Sequence, residues 1–180
     1  ELLRWPGMLA DDSLGFDEML PAIVALTEAA LDELVATRRR EGEKLADMIR
    51  ERVARMRELV AQALPRMPAV VIEYQERLSA KLRDAAASLD EDRIRQEVAL
   101  YAQRIDVDEE LTRLITHLDE VERILKAGGA AGKRLDFLMQ ELNREANTLA
   151  SKSPATDITA IAMEMKVLIE QMREQVQNLE

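Results

Sequence analysis

Apolar residues recur at helical spacing along most of the chain, and this pattern predicts a succession of helices. The last helical segment, about Thr156 to Leu179, carries a heptad-like series. No segment alternates apolar and polar residues as a strand would, and no repeat of fixed period is present. The most regular stripe has spacings of 3, 4, 4 and 3 and consists of Leu135, Leu138, Leu142, Ala146 and Leu149. The heptad-like series consists of Ile158, Ile161, Met165, Leu168, Met172 and Leu179.

The sequence therefore predicts an all-α fold, with long, partly kinked antiparallel helices that form an extended helical hairpin plus a C-terminal helical bundle. Three parts are expected: an irregular remnant of an upstream domain (1–16), the helical hairpin (17–90) and a C-terminal helical domain (91–180). The chain starts at Glu1 rather than at Met, as expected for a piece of a longer protein.

Turn residues indicate where helices begin, bend and end. Asp17 can cap the first helix, and Pro65 and Pro68 end or kink it because proline lacks the backbone donor. Ser153 and Pro154 supply a cap and a first-turn proline for the last helix. Whether Gly42 interrupts the first helix is left open by the pattern, although the Glu and Lys residues around it favour continuation.

The segment from about Glu91 to Lys126 is predicted to be a single helix whose apolar stripe changes face midway. The two stripes are rotated by over a quarter turn, and the change falls at residues 106–110. A helix that changes face there changes its packing partner, and such a junction leaves a crevice. The two stripes consist of Ile94, Val98, Tyr101 and Ile105, and of Leu111, Leu114, Leu118, Val121 and Leu125.

Composition narrows the classes of function. The net charge of −10 opposes a broad basic surface for nucleic acid, but residues 126–153 contain five basic residues against three acidic ones, which permits a phosphate contact. The absence of cysteine excludes disulfide-linked partners and thiolate metal sites, and it suits a cytoplasmic protein. No apolar run is long enough to span a membrane.

One polar stripe surrounds the only histidine of the chain, His117. An imidazole beside a carboxylate and a guanidinium could act as a general acid or base next to a phosphate-binding cation. The alternative is a solvated helix face decorated with ordinary ion pairs. The stripe has spacings of 3, 4, 3, 4 and 3 and consists of Gln103, Asp106, Glu110, Arg113, His117 and Glu120.

Two further sets of polar residues lie on the segment that carries the most regular apolar stripe. Glu141 and Glu145 form an i,i+4 carboxylate pair, which is either a ligand set for Mg²⁺ or Mn²⁺ or a solvent-exposed face. Asn143 and Asn147 reduce helix stability, so they are expected to have specific hydrogen-bond partners, either on a neighbouring helix or in a ligand.

Several phrases of this sequence are distinctive. The most specific is RLDFLMQELNREANTLASKS at Arg134–Ser153, followed by KVLIEQMREQVQNLE; VALYAQRIDVDEELTRLITHLDEVERIL, LRWPGML and REGEKL add to it. Together these phrases resemble the YicC-like endoribonuclease family. The resemblance covers essentially the whole chain, but family members begin with a mixed α/β domain that this chain lacks. It implies a bacterial, cytoplasmic, homo-oligomeric enzyme, with a hexamer as one of the open assemblies, that cuts RNA with Mn²⁺ or Mg²⁺. The scarcity of aromatic residues, 3% of the chain, argues against single-strand binding driven by stacking and favours structured RNA, recognised by its shape and backbone.

The resemblance also implies site residues, by the positions that match the family phrases. EELTRLITH contributes the catalytic candidates, with His117 as acid or base, Arg113 on the phosphate and Glu110 orienting or binding metal. Glu141 and Glu145 join Glu110 as metal candidates. The RNA-binding candidates are Lys133, Arg134, Asn143, Arg144, Asn147 and Lys152.

Two other interpretations remain open at this point. The helices could form a non-catalytic RNA-binding or RNA-decay adaptor, or a helical oligomerisation module. Because there is a single histidine, a two-histidine cleavage mechanism within one subunit is excluded. A carboxylate, a metal or another subunit would have to supply the second role.

Overall fold

A computed structural model describes residues 15–85 and 91–178 of the chain, and every regular element in this part is helical. The predicted all-α class is confirmed. A short 3-10 helix, Leu64–Arg66, separates the first two α-helices. The α-helices are α1 (Phe16–Ala63), α2 (Met67–Ala85), α3 (Glu91–Arg104), α4 (Asp108–Ala127), α5 (Gly132–Lys152) and α6 (Thr156–Gln177).

Contacts divide the chain into two compact units, 1–41 and 42–180. In the first unit, the described residues form the N-terminal part of α1, where large apolar side chains are exposed, with Ile23 at 45% and Leu31 at 55%. The helix runs through Gly42 without a break. The three-part division predicted from sequence stays a prediction, and its residues 1–14 and 86–90 lie outside the described part.

The core of the second unit is built by the C-terminal part of α1 together with α4, α5 and α6. The buried side chains Ile49, Val53 and Met56 of α1 join one continuous apolar cluster with those three helices. Ion pairs reinforce this packing: Arg55 contacts Glu164 of α6, and Arg57 contacts Asp119 of α4. The four packed helices thus bring α4 and α5 side by side.

The predicted stripe of α5 is buried over its full length, and the heptad-like series of α6 is buried or half-buried as far as Met172. Leu179 lies outside the described residues. Both helices therefore bury the face that their spacing predicted.

The prediction of one helix from Glu91 to Lys126 is wrong. The chain breaks between α3 and α4, and Ile105 and Val107 are buried at 5% and 1% in the connection. Asp106 stabilises the start of α4, because its Oδ1 accepts a hydrogen bond of 3.0 Å from the backbone N–H of Asp108. The change of apolar face thus marks a helix boundary.

A cleft of about 510 Å³ lies beside this boundary, at the place where the change of apolar face predicted a crevice. Its walls are mainly apolar side chains of α2, and Gln103, Asp106 and Asp108 lie at its polar side. Neither His117 nor Glu141 is among the residues that line it.

Two predicted caps are also wrong. α1 begins at Phe16, one residue before Asp17, so Asp17 lies inside the first turn. α6 begins at Thr156, and Ser153 is instead the C-cap of α5, with its N–H donating to the Leu149 carbonyl over 3.2 Å. A C-cap is favoured there because Pro154 cannot continue the helix.

Candidate functional site

The polar faces of α4 and α5 meet across a tight connection. Gly128 and Gly129 adopt positive φ values of 67° and 77°, which side-chain-bearing residues adopt rarely. Gly128 also closes α4, since its N–H donates to the Ile124 carbonyl over 3.1 Å. The two helices therefore run antiparallel. Polar residues near the start of α4 lie opposite polar residues near the end of α5, and those near the end of α4 lie opposite those near the start of α5.

Four cross-helix contacts result, and we call them the α4–α5 ladder. Each contact joins one member of the polar stripe around His117 to one or two residues of α5. They are Glu110 with Lys152 (2.8 Å), Arg113 with Glu145 (3.4 Å), His117 with Glu141 and Glu145 (ligand atoms within 4.8 Å of one another), and Glu120 with Arg134 (3.4 Å).

The group at the centre of the ladder consists of His117, Glu141 and Glu145. Glu145 is 3% exposed, whereas the other two side chains are half-buried. His117 and Glu141 make no hydrogen bond or ion pair to any other described residue. His117 and Glu141 are therefore lone-pair donors without partners among the described residues. They lie beside the buried carboxylate of Glu145, and this arrangement can bind a cation.

Arg113 balances part of this negative charge. Its guanidinium donates to Glu145 across the helices and to Glu109 one turn earlier on α4. The hydrogen bond to Glu145, with the charges of Glu109 and Glu145, raises the pKa of Arg113, so the side chain is a permanent cation. About half of it remains exposed, which leaves it free to reach a phosphate.

Glu110, predicted to be catalytic and to bind metal, is located elsewhere in the ladder. Its Oε1 accepts a hydrogen bond from the Lys152 ammonium, which also donates to the Asp106 carbonyl over 3.1 Å. Oε2 of Glu110 is buried and has no hydrogen-bond partner in the described part of the chain. Lys152, predicted to contact RNA, is thus engaged with a buried carboxylate.

The remaining RNA-binding candidates are spread around α5. Arg134 contacts Glu120, whose pKa lies below its ordinary value chiefly because Arg123 donates hydrogen bonds to it. Lys133 and Arg144 are exposed and make no ion pair with described residues. They remain available for phosphate.

Asn143 and Asn147 lie on a different face. At about 100° per residue, Asn143 is roughly 160° around α5 from Glu141. Both side chains are exposed, and neither hydrogen-bonds to a described residue. The predicted partner on a neighbouring helix of the same chain is therefore not seen for either.

Sequence reasoning missed one residue near the group, Phe137, which is 59% exposed one turn before Glu141. The signal available in the sequence was an apolar residue outside the regular stripe of α5.

No helix in the described part of the chain combines the length and the apolar character that a membrane span requires.

Comparison with known proteins places these residues in a family. A family model described as "Endoribonuclease YicC-like, C-terminal" matches residues 63–180, which contain the whole ladder. "Probable endoribonuclease YicC" of Haemophilus influenzae is 49% identical over 180 residues, all of this chain and 63% of that protein. "Probable endoribonuclease YicC" of Clostridioides difficile is 36% identical over 156 residues, 85% of this chain and 53% of that protein. The chain thus spans less than two thirds of the length of either relative.

Proposed function

Because the chain belongs to the YicC-like endoribonuclease family, we propose that it cleaves phosphodiester bonds of structured RNA with the help of a divalent metal ion. Its place would be RNA turnover in the bacterial cytoplasm. The observation that carries this proposal is the group of His117, Glu141 and Glu145, with the guanidinium of Arg113 beside it.

The three side chains fit a divalent cation. Metal–ligand bonds of about 2.0 to 2.3 Å place ligand atoms up to about 4.5 Å apart, so a spacing within 4.8 Å needs only small side-chain movements. Two carboxylates and one guanidinium leave the group with a negative charge when His117 is neutral. A nitrogen ligand beside two carboxylates suits Mn²⁺ better than Mg²⁺, which prefers oxygen alone.

A cation held there would supply Lewis-acid stabilisation of a phosphoryl group. The chain's own residues do the rest. Arg113, half exposed beside Glu145, can donate to a phosphate oxygen and stabilise the charge that grows there during cleavage. Lys133 and Arg144 can hold the RNA backbone, since both cations are exposed and unpaired within the described residues.

His117 has two candidate roles with different consequences. As a ligand, it holds the cation through one ring nitrogen; as a general acid or base, it exchanges a proton with a ribose or leaving oxygen. Its position within 4.8 Å of both Glu141 and Glu145 favours the ligand role. In that role, its loss weakens metal binding as well as cleavage.

The first test is cleavage of an end-labelled RNA hairpin with Mn²⁺, with Mg²⁺ and with a chelator. We expect Mn²⁺-dependent cuts by the wild-type chain, and loss of these cuts in His117→Ala, Glu141→Ala and Glu145→Gln. Glu174→Ala, an exposed glutamate of α6, is the matched control and should cut normally. Chelator-resistant cutting, or unchanged cutting by His117→Ala, would contradict the metal-assisted mechanism.

Binding without cutting would instead favour the non-catalytic adaptor. The RNA-binding measurement should therefore be made on the same samples in chelator. A chain that retains hairpin binding through Lys133 and Arg144 but never cuts, whatever the metal, would be an RNA-binding module.

We also propose that the chain forms a homo-oligomer. In the first unit, α1 exposes a run of large apolar side chains, including Phe16 at 66% and Val35 at 66%. Exposed apolar surface of this kind marks interaction sites. Replacement of Ile23 and Leu31 by Asp should lower the mass seen by sedimentation equilibrium, and an unchanged mass would contradict this interface.

A further inference from the structure

Phe137 is the one large apolar side chain that the α4–α5 hairpin leaves exposed, and all residues from 108 to 152 are described. It is 59% exposed, whereas the apolar stripe of the same helix is buried. The chain has only two phenylalanines and 3% aromatic residues. An aromatic ring is thus displayed beside the candidate metal group, on a surface otherwise made of charged and polar side chains.

The position of this ring relative to the site follows from helix geometry. Phe137 precedes Glu141 by one turn, about 6 Å along the axis, and lies about 40° from it around α5. Glu141 in turn lies within 4.8 Å of the ligand atoms of His117 and Glu145. A base placed on Phe137 would belong to a nucleotide next to the one whose phosphate reaches the metal group.

Two exposed cations flank the ring. Lys133 lies one turn before Phe137, and Arg144 about two turns after it, both within about 40° of it around α5. Both side chains are exposed and form no ion pair among the described residues. An aromatic ring between free cations is the combination that binds unpaired nucleotides, because the base stacks on the ring while the cations neutralise the backbone.

We propose that Phe137 is a base-stacking residue that binds one unpaired nucleobase of the RNA beside the phosphate to be cut. This proposal rests on the function proposed above. A single ring contacts the face of a base and not its edge, so it sets the register of the strand without selecting sequence. The cut is then directed to a loop, bulge or frayed end of structured RNA, where a base can leave its stack.

The experiment places 2-aminopurine at successive loop positions of an RNA hairpin and measures binding to the full chain in chelator, where metal-dependent cutting cannot occur. Fluorescence of the wild-type complex should change at one loop position adjacent to the cut found with Mn²⁺. Phe137→Ala should abolish this change and weaken binding by about 5- to 150-fold. Phe137→Trp should retain it, and Val167→Ala, an equally exposed apolar residue of α6, is the matched control.

An abasic nucleotide at the same position gives the decisive comparison. It should weaken binding to the wild-type chain by a similar factor and binding to Phe137→Ala by less than about twofold, because the same contact cannot be lost twice. Equal losses in both proteins would overturn the proposal. So would a lower oligomer mass of Phe137→Ala by sedimentation, which would assign the ring to an interface between copies.

Failure of the enzymatic function has a different signature. A Phe137-dependent fluorescence change without any metal-dependent cut would contradict the endoribonuclease and leave the base-binding role in place. Normal cutting with no effect of Phe137→Ala on binding, fluorescence or cut position would contradict the base-binding role and leave the endoribonuclease in place.

Discussion

Nη1 of Arg113 on α4 lies 3.4 Å from Oε1 of Glu145 on α5, a side chain that is only 4% exposed. This guanidinium is the cation that the chain itself supplies to a buried carboxylate of the candidate metal group. A divalent ion bound by His117, Glu141 and Glu145 would compete with it for the Glu145 carboxylate. We therefore expect that Arg113, bound to Glu145 in this structure, turns towards a phosphate when a cation takes its place.

Arg113→Ala should tighten Mn²⁺ binding while it weakens cleavage. Removal of the positive charge next to Glu145 reduces repulsion of a second cation, and we expect an increase in affinity on the order of fivefold. Electron paramagnetic resonance of free Mn²⁺ during a titration measures this affinity. Arg123→Ala is the control, because Arg123 is also on α4 but contacts Glu120. Unchanged or weaker Mn²⁺ binding by Arg113→Ala would contradict competition for the Glu145 carboxylate.

Lys152→Met should destabilise the chain because Glu110 would remain buried without its cation. The loss in free energy of unfolding should be about 2 kcal/mol, since Lys152 is 34% exposed and Glu110 only 8%. Urea unfolding measures this loss. Lys133→Met removes an exposed lysine of the same helix that pairs with no described residue, and it should change stability by less than about 0.5 kcal/mol. Equal stability of the two variants would mean that the Glu110–Lys152 contact is not formed in solution.

RNA affinity should depend on salt through Lys133 and Arg144. Each substitution to Ala should reduce the slope of log K against log salt by about 0.7, the value for one contact to a single strand. Asn143→Ala and Asn147→Ala should leave the slope unchanged, since these uncharged side chains lie away from Glu141 around α5. Fluorescence anisotropy at a series of salt concentrations tests this. An unaltered slope in both cation variants would exclude this face of α5 from phosphate binding.

Arg66 should make stability depend on pH in the acidic range. It donates hydrogen bonds to Glu73 of α2 and Asp157 of α6, and these bonds hold the pKa of each carboxyl group below its usual value. A depressed folded-state pKa contributes stability that is fully present above the unfolded value, about 4, and is lost as the pH falls through the folded value.

The stability difference between the wild-type chain and Arg66→Ala should therefore be largest near pH 6 and shrink below about pH 4. Thermal unfolding at a series of pH values measures it. Lys81→Ala, an exposed lysine of α2, should show a constant difference. A gap between wild type and Arg66→Ala that persists unchanged down to pH 2 would contradict the electrostatic origin of this network.

Helical content and the buried faces of α5 and α6 could be predicted from sequence because they depend on local periodicity. Leu135, Leu142 and Leu149 fall on one face at any helical geometry, and all three are buried at 0% exposure. The break between α3 and α4 could not be predicted in the same way. Ile105 and Val107 are apolar residues that a continuous helix would also accept, and they turn out to be buried in the connection between the two helices.

The sequence by itself determined which residues share a helix face: His117 with Glu110 and Arg113 on α4, and Glu141 with Glu145 on α5. The tertiary structure alone decided that His117 meets Glu141 and Glu145, while Glu110 meets Lys152. Spacing along one helix sets the angle of each side chain about its own axis. Contact between helices depends in addition on their relative rotation and register, and the packing of the shared core and the turn at Gly128 set both.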